Sequence, residues 1–340
     1  MGRDMTESAE YQPEQPAHSS GISPALEHLR KLAADLRERV DASRHHGEQP
    51  EVEAVHRLRT GARRVEAVLE IFGHESGVQD LDKDAEKARR RWLRQLKKIR
   101  RAAGTVRDLD VHRELLAENF LSSESAAKDL AVATTTAGRE VYSPVALIDQ
   151  VRALDQWLEK RREETAQELR SVLHGRAERL LQAEEQFFAA IVPPQAAAQH
   201  AQVSAARRAV EDYLRLMDAM PFLNKENLHD FRKGAKKVRY VAESDADDPS
   251  AKSFAKTVKR VQDAIGQWHD WMVLANEAQQ ALGEEGLTLH AELEQRVQRA
   301  YDRALRVTAK TGRRVLGEWC DSLSLRRARP SRRRARAPRR

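Results

Sequence analysis

The amino-acid sequence predicts an all-α protein. Charged residues make up 33% of the 340 positions and aromatic residues only 5%, and Ala, Leu, Glu, Arg and Lys are the dominant residue types. This composition favours helices over sheets. Apolar residues also recur at the three- and four-residue spacing of a helix through most of the chain. With 40% hydrophobic residues, the chain can bury a core in each of two average domains.

The two ends of the chain lack this periodicity. Residues 1–22 are polar and contain Pro13 and Pro16, so we expect them to be disordered. Residues 326–340 hold nine arginines and no acidic residue, and we expect this tail to be unfolded as well. Without these nine arginines, 51 basic side chains stand against 53 acidic ones. A basic surface on the body therefore requires that charges segregate within individual helices.

Residues typical of helix ends divide the periodic part of the chain. These breaks are predicted at 47–50, 73–77, Gly104, 122–138, Gly175, 193–194, Pro221, 245–249, Gly266 and 283–286. The strongest of them is Pro193-Pro194 with its Ala-rich continuation. It predicts a first helical domain over 23–192, a linker over 193–201 and a second helical domain over 202–320.

The two predicted domains contain one sequence unit twice. Ten residues from His56 and ten residues from His229 share five identities and two exchanges of Arg for Lys. A basic helix follows each copy, ending near Asp108 in the first half and near Asp270 in the second. The offset is 173 residues for the first element and 162 for the second, because the intervening loop is longer in the first half.

The repeated helices have one basic and one apolar side. On a helical wheel of 100° per residue, Arg59 and Arg63 lie within about 60° of His56. The opposite side is apolar: Val55, Leu58, Ala62, Val65, Leu69 and Phe72. Around His229 the basic flank comprises Arg232, Lys233, Lys236 and Arg239, and the apolar side comprises Leu228, Phe231, Ala235, Val238 and Ala242.

The helix after each copy is also polarised. Its basic side holds Lys87, Arg90, Arg91, Arg94, Lys97, Lys98 and Arg101 in the first half, and Lys252, Lys256, Lys259 and Arg260 in the second. The apolar sides hold Trp92, Leu93, Leu96, Ile99 and Ala103, and Phe254, Val258, Val261 and Ile265. We expect these four basic faces to lack acidic partners, unlike an ordinary solvated face. Such an array repels itself unless an anion compensates it.

Four further residues have structural interpretations. Gly61 and Gly234 lie near the apolar sides of their helices, which predicts close contact with a neighbouring helix. Asp108 and Asp270 follow a glycine, where a carboxylate suits a helix start and can hold a nearby arginine.

The repeated His-x-x-Arg helix with a basic helix after it resembles the CHAD family, the conserved-histidine α-helical domains. The resemblance spans roughly residues 25–314. It implies two four-helix-bundle subdomains, related by pseudo-twofold symmetry, around a basic central cavity that binds inorganic polyphosphate. Glu66, where the second copy has Arg239, and His269, where the first has Arg107, depart from the repeat.

The resemblance also implies the residues that contact polyphosphate. In the first half they are His56, Arg59, Arg63, Arg64, Arg91, Arg94, Lys97, Lys98 and Arg101. In the second half they are His229, Arg232, Lys233, Lys236, Lys237, Arg239, Lys256, Lys259 and Arg260. Surrounding cations should make His56 and His229 harder to protonate in the empty site, so we expect tighter binding at mildly acidic pH.

Two other functions compete with polyphosphate binding. A nucleic-acid-binding module would use the same cations, but the basic faces carry no aromatic residue for base stacking. The arginine-rich tail could still contact nucleic acid without specificity. An enzyme acting on phosphates is disfavoured, because the chain has neither a phosphate-binding loop motif nor the Glu-x-Glu-x-Lys strand of a triphosphate-tunnel module.

The remaining expectations concern cofactors and location. We expect no cofactor and no metal, since His45-His46 is a lone pair near a loop. Cys320 is the only cysteine, which excludes an intrachain disulfide and favours a reducing compartment. No signal peptide or membrane span is expected. The predicted location is cytoplasmic, with polyphosphate granules as a possibility that the family resemblance suggests.

Overall fold

The computed structural model describes residues 24–45, 50–71, 81–122, 144–191, 204–243 and 248–322. Within these ranges the regular elements are helices and no strand occurs, which confirms the all-α prediction. The predicted disordered ends and the predicted linker lie outside the described residues. In the described part, no helix has the long uncharged apolar stretch that crossing a membrane requires.

The first half of the chain forms long helices joined in sequence order. They are α1 (Pro24–His45), α2 (Val52–Ile71), α3 (Lys83–Leu116) and α4 (Pro144–Ala190). A π-helical turn, Ala117–Leu121, continues α3. At 1.5 Å per residue, α4 is about 70 Å long.

The second half also forms four long helices, of which the third is as long as α3 and the others are shorter than their counterparts. They are α5 (Ala205–Ala219), α6 (Leu228–Glu243), α7 (Pro249–Leu282) and α8 (Leu287–Arg314). A 3₁₀ turn, Gly283–Gly286, joins α7 to α8, and the turns Val315–Trp319 and Cys320–Ser322 extend α8.

Side-chain caps explain where several helices begin. Asp82 accepts a hydrogen bond from the backbone N–H of Ala85 at 2.7 Å, ahead of α3. Asp248 accepts one from the N–H of Ser250 at 2.7 Å, ahead of α7. Each cap satisfies a donor that has no partner within the helix.

The predicted breaks at Gly104, Gly175 and Gly266 are wrong. Helices α3, α4 and α7 run through these glycines without interruption. A glycine inside a helix costs only about 1 kcal/mol relative to alanine. Burial of the apolar residues on either side outweighs that cost, since tertiary packing supplies most helical stability.

The apolar sides predicted for the repeated helices form the core. Val55, Leu58, Ala62, Val65 and Leu69 of α2 are buried, and so are their counterparts on α6: Leu228, Phe231, Ala235, Val238 and Ala242. On α3, Leu93 is only partly buried. Phe72 lies outside the described residues.

The buried apolar residues form two clusters, and α3 and α4 contribute to both. The first-half core takes its members from α1, from α2, from α3 as far as Val106, and from α4 between Ala166 and Phe187. The second-half core contains α5 to α8 together with the distal part of α3 and the start of α4. The members from these two helices are Leu109, Leu116, Val151, Leu154 and Leu158. The two halves are therefore joined through shared apolar packing.

Gly61 and Gly234 lie at close helix contacts, as predicted. A β-carbon at Gly61 would stand 3.3 Å from Leu36 of α1. At Gly234 it would stand 2.3 Å from Leu216 of α5. Each glycine allows its helix to approach the preceding helix in the chain.

Candidate anion-binding site

Helices α2 and α6 contact each other across the two halves, and both carry the repeated basic residues. Five cations from three helices lie near enough to influence one another electrostatically. We call them the central cluster: Arg59 and Arg63 on α2, Arg100 on α3, and Arg232 and Lys236 on α6.

Arg63 and Lys236 are half-buried at the middle of this cluster. No carboxylate of the described residues forms an ion pair with either side chain, and Nε of Arg63 is buried without a hydrogen-bond partner. Burial, and then the neighbouring cations, lower the pKa of Arg63 to about 10 and the pKa of Lys236 to about 7. The folded chain therefore holds positive charge here against a desolvation cost.

Arg59 and Arg232 each lie beside a glycine of the following long helix. A β-carbon at Gly104 would stand 3.7 Å from Nε of Arg59. At Gly266 it would stand 2.9 Å from Nη2 of Arg232. The sequence repeat thus extends to a repeated contact, in which a residue without a side chain leaves room for a guanidinium group.

The two aspartates predicted at helix starts lie inside continuous helices, so the helix-start interpretation is wrong. Their predicted role of holding an arginine is confirmed for Asp108, which accepts a hydrogen bond from Nη1 of Arg59 at 2.8 Å. Asp270 forms no ion pair with Arg232 among the described residues. Burial raises the pKa of Asp270, and the charge of Arg232 acts in the opposite direction.

The central cluster is only partly neutralised. Asp108 pairs with Arg59, and Glu66 pairs with Arg100 at 2.5 Å. Glu66 stands where the second copy of the repeat has Arg239, and its carboxylate neutralises the charge of Arg100. Arg63, Arg232 and Lys236 have no ion pair within 4 Å among the described residues. Three basic side chains therefore remain without an ion pair across α2 and α6.

Two histidines lie at one end of the cluster. The rings of His229 and His269 have their centroids 5.1 Å apart. Burial lowers the pKa of His229, and Lys233, His269 and Arg232 lower it further. The direction agrees with the prediction, although burial and not the cations is the largest cause. His56 is exposed.

The expectation that the basic faces lack acidic partners is wrong at four outer positions. Arg90 pairs with Glu86 at 2.5 Å, Lys233 with Asp230 at 2.9 Å, Arg239 with Glu243 at 3.4 Å, and Lys259 with Asp263 at 2.7 Å. Each acid lies three or four residues from its cation on the same helix, which is the spacing that brings two side chains together.

The other predicted contact residues are exposed. They are Arg64, Arg91, Arg94, Lys97, Lys98, Arg101, Lys237, Lys256 and Arg260. The residues on the basic side of α3 do not all lie near the central cluster. Nη1 of Arg91 donates to Gln186 of α4, away from the central cluster, whereas Lys97 lies about 20° from Gly104 around the helix axis. Only some of the basic residues of α3 therefore lie on the side that packs against α2.

The contacts predicted from the sequence do not include Arg100 and Tyr240. The charge of Arg100 acts on both Arg63 and Lys236. Tyr240 is half-buried beside Arg63, and Arg239 stacks over its ring at 5.1 Å. In the repeat, Arg100 aligns with Gln262, whose Nε2 donates to the carbonyl of Ala235 at 2.8 Å. Because its counterpart is uncharged, the repeat did not indicate that Arg100 belongs to the site.

Comparisons with known proteins place this geometry in context. The family model for the CHAD domain matches residues 21–279. Among solved structures, the chain is similar to PptA from Streptomyces chartreusis, with a TM-score of 0.54 and 16% identity over 84% of this chain and 98% of that chain. The CHAD domain from the plant Ricinus communis gives a TM-score of 0.47 and 18% identity over 95% and 99% of the two chains. No curated protein matches the chain. At this identity, the likeness to PptA concerns the fold alone.

Proposed function

The chain belongs to the CHAD family, whose model matches residues 21–279, and from this premise we propose that it binds inorganic polyphosphate at the central cluster. The observation that carries the proposal is the set of three basic side chains, Arg63, Arg232 and Lys236, that lie close together on α2 and α6 and form no ion pair with a carboxylate of the described residues. An anion with several charges is the ligand that such a set lacks.

Polyphosphate suits this arrangement chemically. It is a flexible chain of anionic oxygens, and an arginine can engage two of them with its planar guanidinium fork. Lys236 adds a point charge between the arginines. The exposed lysines and arginines of α3 and α7 would then hold neighbouring phosphates along the chain. Because binding releases condensed counterions, the affinity should fall steeply as salt is raised.

We propose that binding leaves the polyphosphate chemically unchanged. Transfer of a phosphoryl group normally requires carboxylates that hold a metal, or a nucleophile placed beside the cations. Asp108 and Glu66, two carboxylates next to the cluster, are engaged by Arg59 and Arg100. A protein that binds polyphosphate without altering it would collect where polyphosphate accumulates, and we propose polyphosphate granules as its location.

A competition assay tests the proposed function. Binding of polyphosphate, RNA and DNA is compared at equal phosphate and equal salt, using the full chain and a chain that ends at Ser322 and so lacks the arginine-rich tail. We expect the shortened chain to retain polyphosphate binding and to prefer it over both nucleic acids. Stronger binding of RNA or DNA would assign the site to nucleic acid instead.

The matched variants locate the site. The double variant Arg63→Glu, Arg232→Glu reverses two charges. Because neither arginine forms an ion pair among the described residues, no described carboxylate loses its partner. Lys160→Glu with Lys310→Glu changes the net charge equally at exposed positions of α4 and α8. We expect the first pair to abolish binding with helicity intact, and the second pair to bind as the parent does. Equal binding by both pairs would contradict the proposal. Polyphosphate of unchanged length after incubation would support a non-catalytic role.

A further inference from the structure

Lys236 differs from the other predicted contact lysines in its surroundings. Lys97, Lys98, Lys233, Lys237, Lys256 and Lys259 are exposed, whereas Lys236 is half-buried. The charged groups acting on it are Arg59 and Arg63 from α2, Arg100 from α3 and Arg232 from its own helix. All four are cations, and no carboxylate of the described residues lies within 4 Å of its amine.

This environment keeps a large share of the amine free of its proton. Burial contributes most, the four arginines contribute the rest, and together they lower the pKa of Lys236 to about 7. An ordinary lysine has a pKa near 10.4, so only about one in a thousand is unprotonated at pH 7.5. The unprotonated amine is the nucleophile, and desolvation beside cations is a known way to activate lysine.

The same arginines would position a reagent that carries phosphate. Arg63 and Arg232 act on Lys236 from α2 and from one turn earlier on α6, and neither forms an ion pair within the described part of the chain. A phosphoryl group held between their guanidinium forks would bring an attached carbonyl carbon close to the amine, which raises the effective concentration of the two reacting groups.

We propose that Lys236 is a site of covalent acylation by small acyl phosphates, and that acylation weakens polyanion binding at the central cluster. The inference rests on the proposed function, because it assumes that this cluster accepts phosphate. The nitrogen lone pair attacks the carbonyl carbon, a C–N bond forms, and the bond from that carbon to the phosphate oxygen breaks. Phosphate leaves with the electron pair, and the nitrogen gives its proton to solvent.

Acylation and polyphosphate should oppose each other. The amide that forms cannot take up a proton, so the cluster loses the positive charge that Lys236 would otherwise gain beside a bound anion. Conversely, bound polyphosphate occupies the two arginines and covers the amine, so that an acyl phosphate cannot reach it. A cell rich in acyl phosphates would therefore hold less of this protein on polyphosphate.

The test uses the full chain with acetyl phosphate at pH 7.5, and peptide mass spectrometry measures acetylation at each lysine over time. Lys237, exposed on the next position of α6, is the internal control. We expect Lys236 to react at least about tenfold faster than Lys237, because its amine is far less protonated. With phenyl acetate, which carries no phosphate, the ratio of the two rates should fall. A rate at Lys236 no higher than at Lys237 would overturn the proposal.

Two variants connect acylation to binding. Lys236→Gln mimics the neutral acetylated side chain and should lower polyphosphate affinity about tenfold, whereas Lys236→Arg keeps the charge and should bind within about twofold of the parent. Circular dichroism checks that both remain helical. Equal affinities for the two variants would overturn the regulatory half of the inference.

The proposed function and this inference can fail separately. If the parent binds polyphosphate but Lys236 is unreactive, the inference is wrong and the function stands. If Lys236 reacts quickly but polyphosphate neither binds nor protects it, the proposed ligand is wrong and the reactive amine stands.

Discussion

The guanidinium group of Arg232 lies against Gly266, so close that a β-carbon on this glycine would stand 2.9 Å from Nη2. The equivalent contact in the first half is looser, since a β-carbon at Gly104 would stand 3.7 Å from Nε of Arg59. Both glycines lie inside continuous helices. A β-carbon at position 266 would displace the neighbouring arginine, whereas one at position 104 would only contact it.

Replacing Gly266 with alanine should therefore impair binding and leave the fold intact. The new methyl group would displace the flexible end of Arg232, and we expect polyphosphate affinity to fall about tenfold. Stability should rise by up to about 1 kcal/mol, because alanine favours helix. Gly104→Ala is the control, with a similar gain in stability and unchanged affinity. Isothermal titration and urea unfolding measure both effects, and equal affinity of the two variants would refute the positional role of Gly266.

Asp108→Asn should strengthen polyphosphate binding. The substitution removes the charge that pairs with Arg59 at 2.8 Å and so frees a fourth cation in the central cluster. Since both side chains are partly exposed to solvent, we expect a gain of only about threefold. Glu318→Gln removes an exposed carboxylate from Arg314, which is not a predicted contact residue, and serves as the control. Weaker binding by Asp108→Asn would indicate that the ion pair positions Arg59 for the ligand.

Lys236→Met should stabilise the ligand-free protein, most strongly below pH 7. The unfolded chain holds the Lys236 proton up to about pH 10.4, whereas the folded chain releases it near pH 7. The unfolding free energy of the parent should therefore rise between pH 7 and 9, relative to the variant, by about 1 kcal/mol after allowance for partial exposure. Urea unfolding at both pH values measures the difference. A difference that does not change with pH would show that Lys236 does not titrate in this range.

Polyphosphate affinity should increase as the pH falls from 9 to 6. A bound anion raises the pKa of Lys236 and of His229, so binding takes up protons, and lower pH favours it. Lys236→Arg should remove the dependence above about pH 7, and His229→Gln should remove the dependence below it. His174, exposed on α4, provides the control His174→Gln. If His229→Gln retains the full dependence, the role of His229 is structural.

Asp110→Ala should destabilise the fold without affecting the anion site. Asp110 is buried and accepts a hydrogen bond at 2.6 Å from Arg162, which also donates to the carbonyl of Pro50. Loss of one partner from a buried ion pair typically costs about 3–5 kcal/mol. Thermal unfolding measures the loss, and polyphosphate affinity at low temperature should be unchanged. A loss below about 1 kcal/mol would show that Arg162 finds other compensation.

The helices and their buried sides were predictable because they depend on local periodicity. Leu58 and Phe231 were placed on apolar faces by counting residues alone, and both are buried. The continuity of α3 through Gly104 was not predictable, because it depends on packing against helices that are distant in sequence. A helix-breaking propensity of about 1 kcal/mol is easily overridden by such packing.

The centre of the site was predictable in part. Arg59, Arg63, Arg232 and Lys236 were identified by the repeat, and the structure brings them together. Arg100 was missed because its counterpart in the repeat is the uncharged Gln262. The pairs formed by Lys233 and Lys259 were overlooked because a wheel drawn for cations does not show acids one turn away. Charge compensation depends on which side chains meet, and single-helix patterns do not contain that information.

Because α3 and α4 contribute apolar residues to both cores, the two halves cannot separate without exposing apolar surface to water. Loss of structure in one half removes part of the covering over the second, so the molecule should melt in a single step. A protease that cuts between the halves would leave two fragments with exposed apolar surfaces, and it would separate α6 from α2 and α3, which together carry the central cluster. The two copies of the repeated unit should therefore fold and unfold as one cooperative structure.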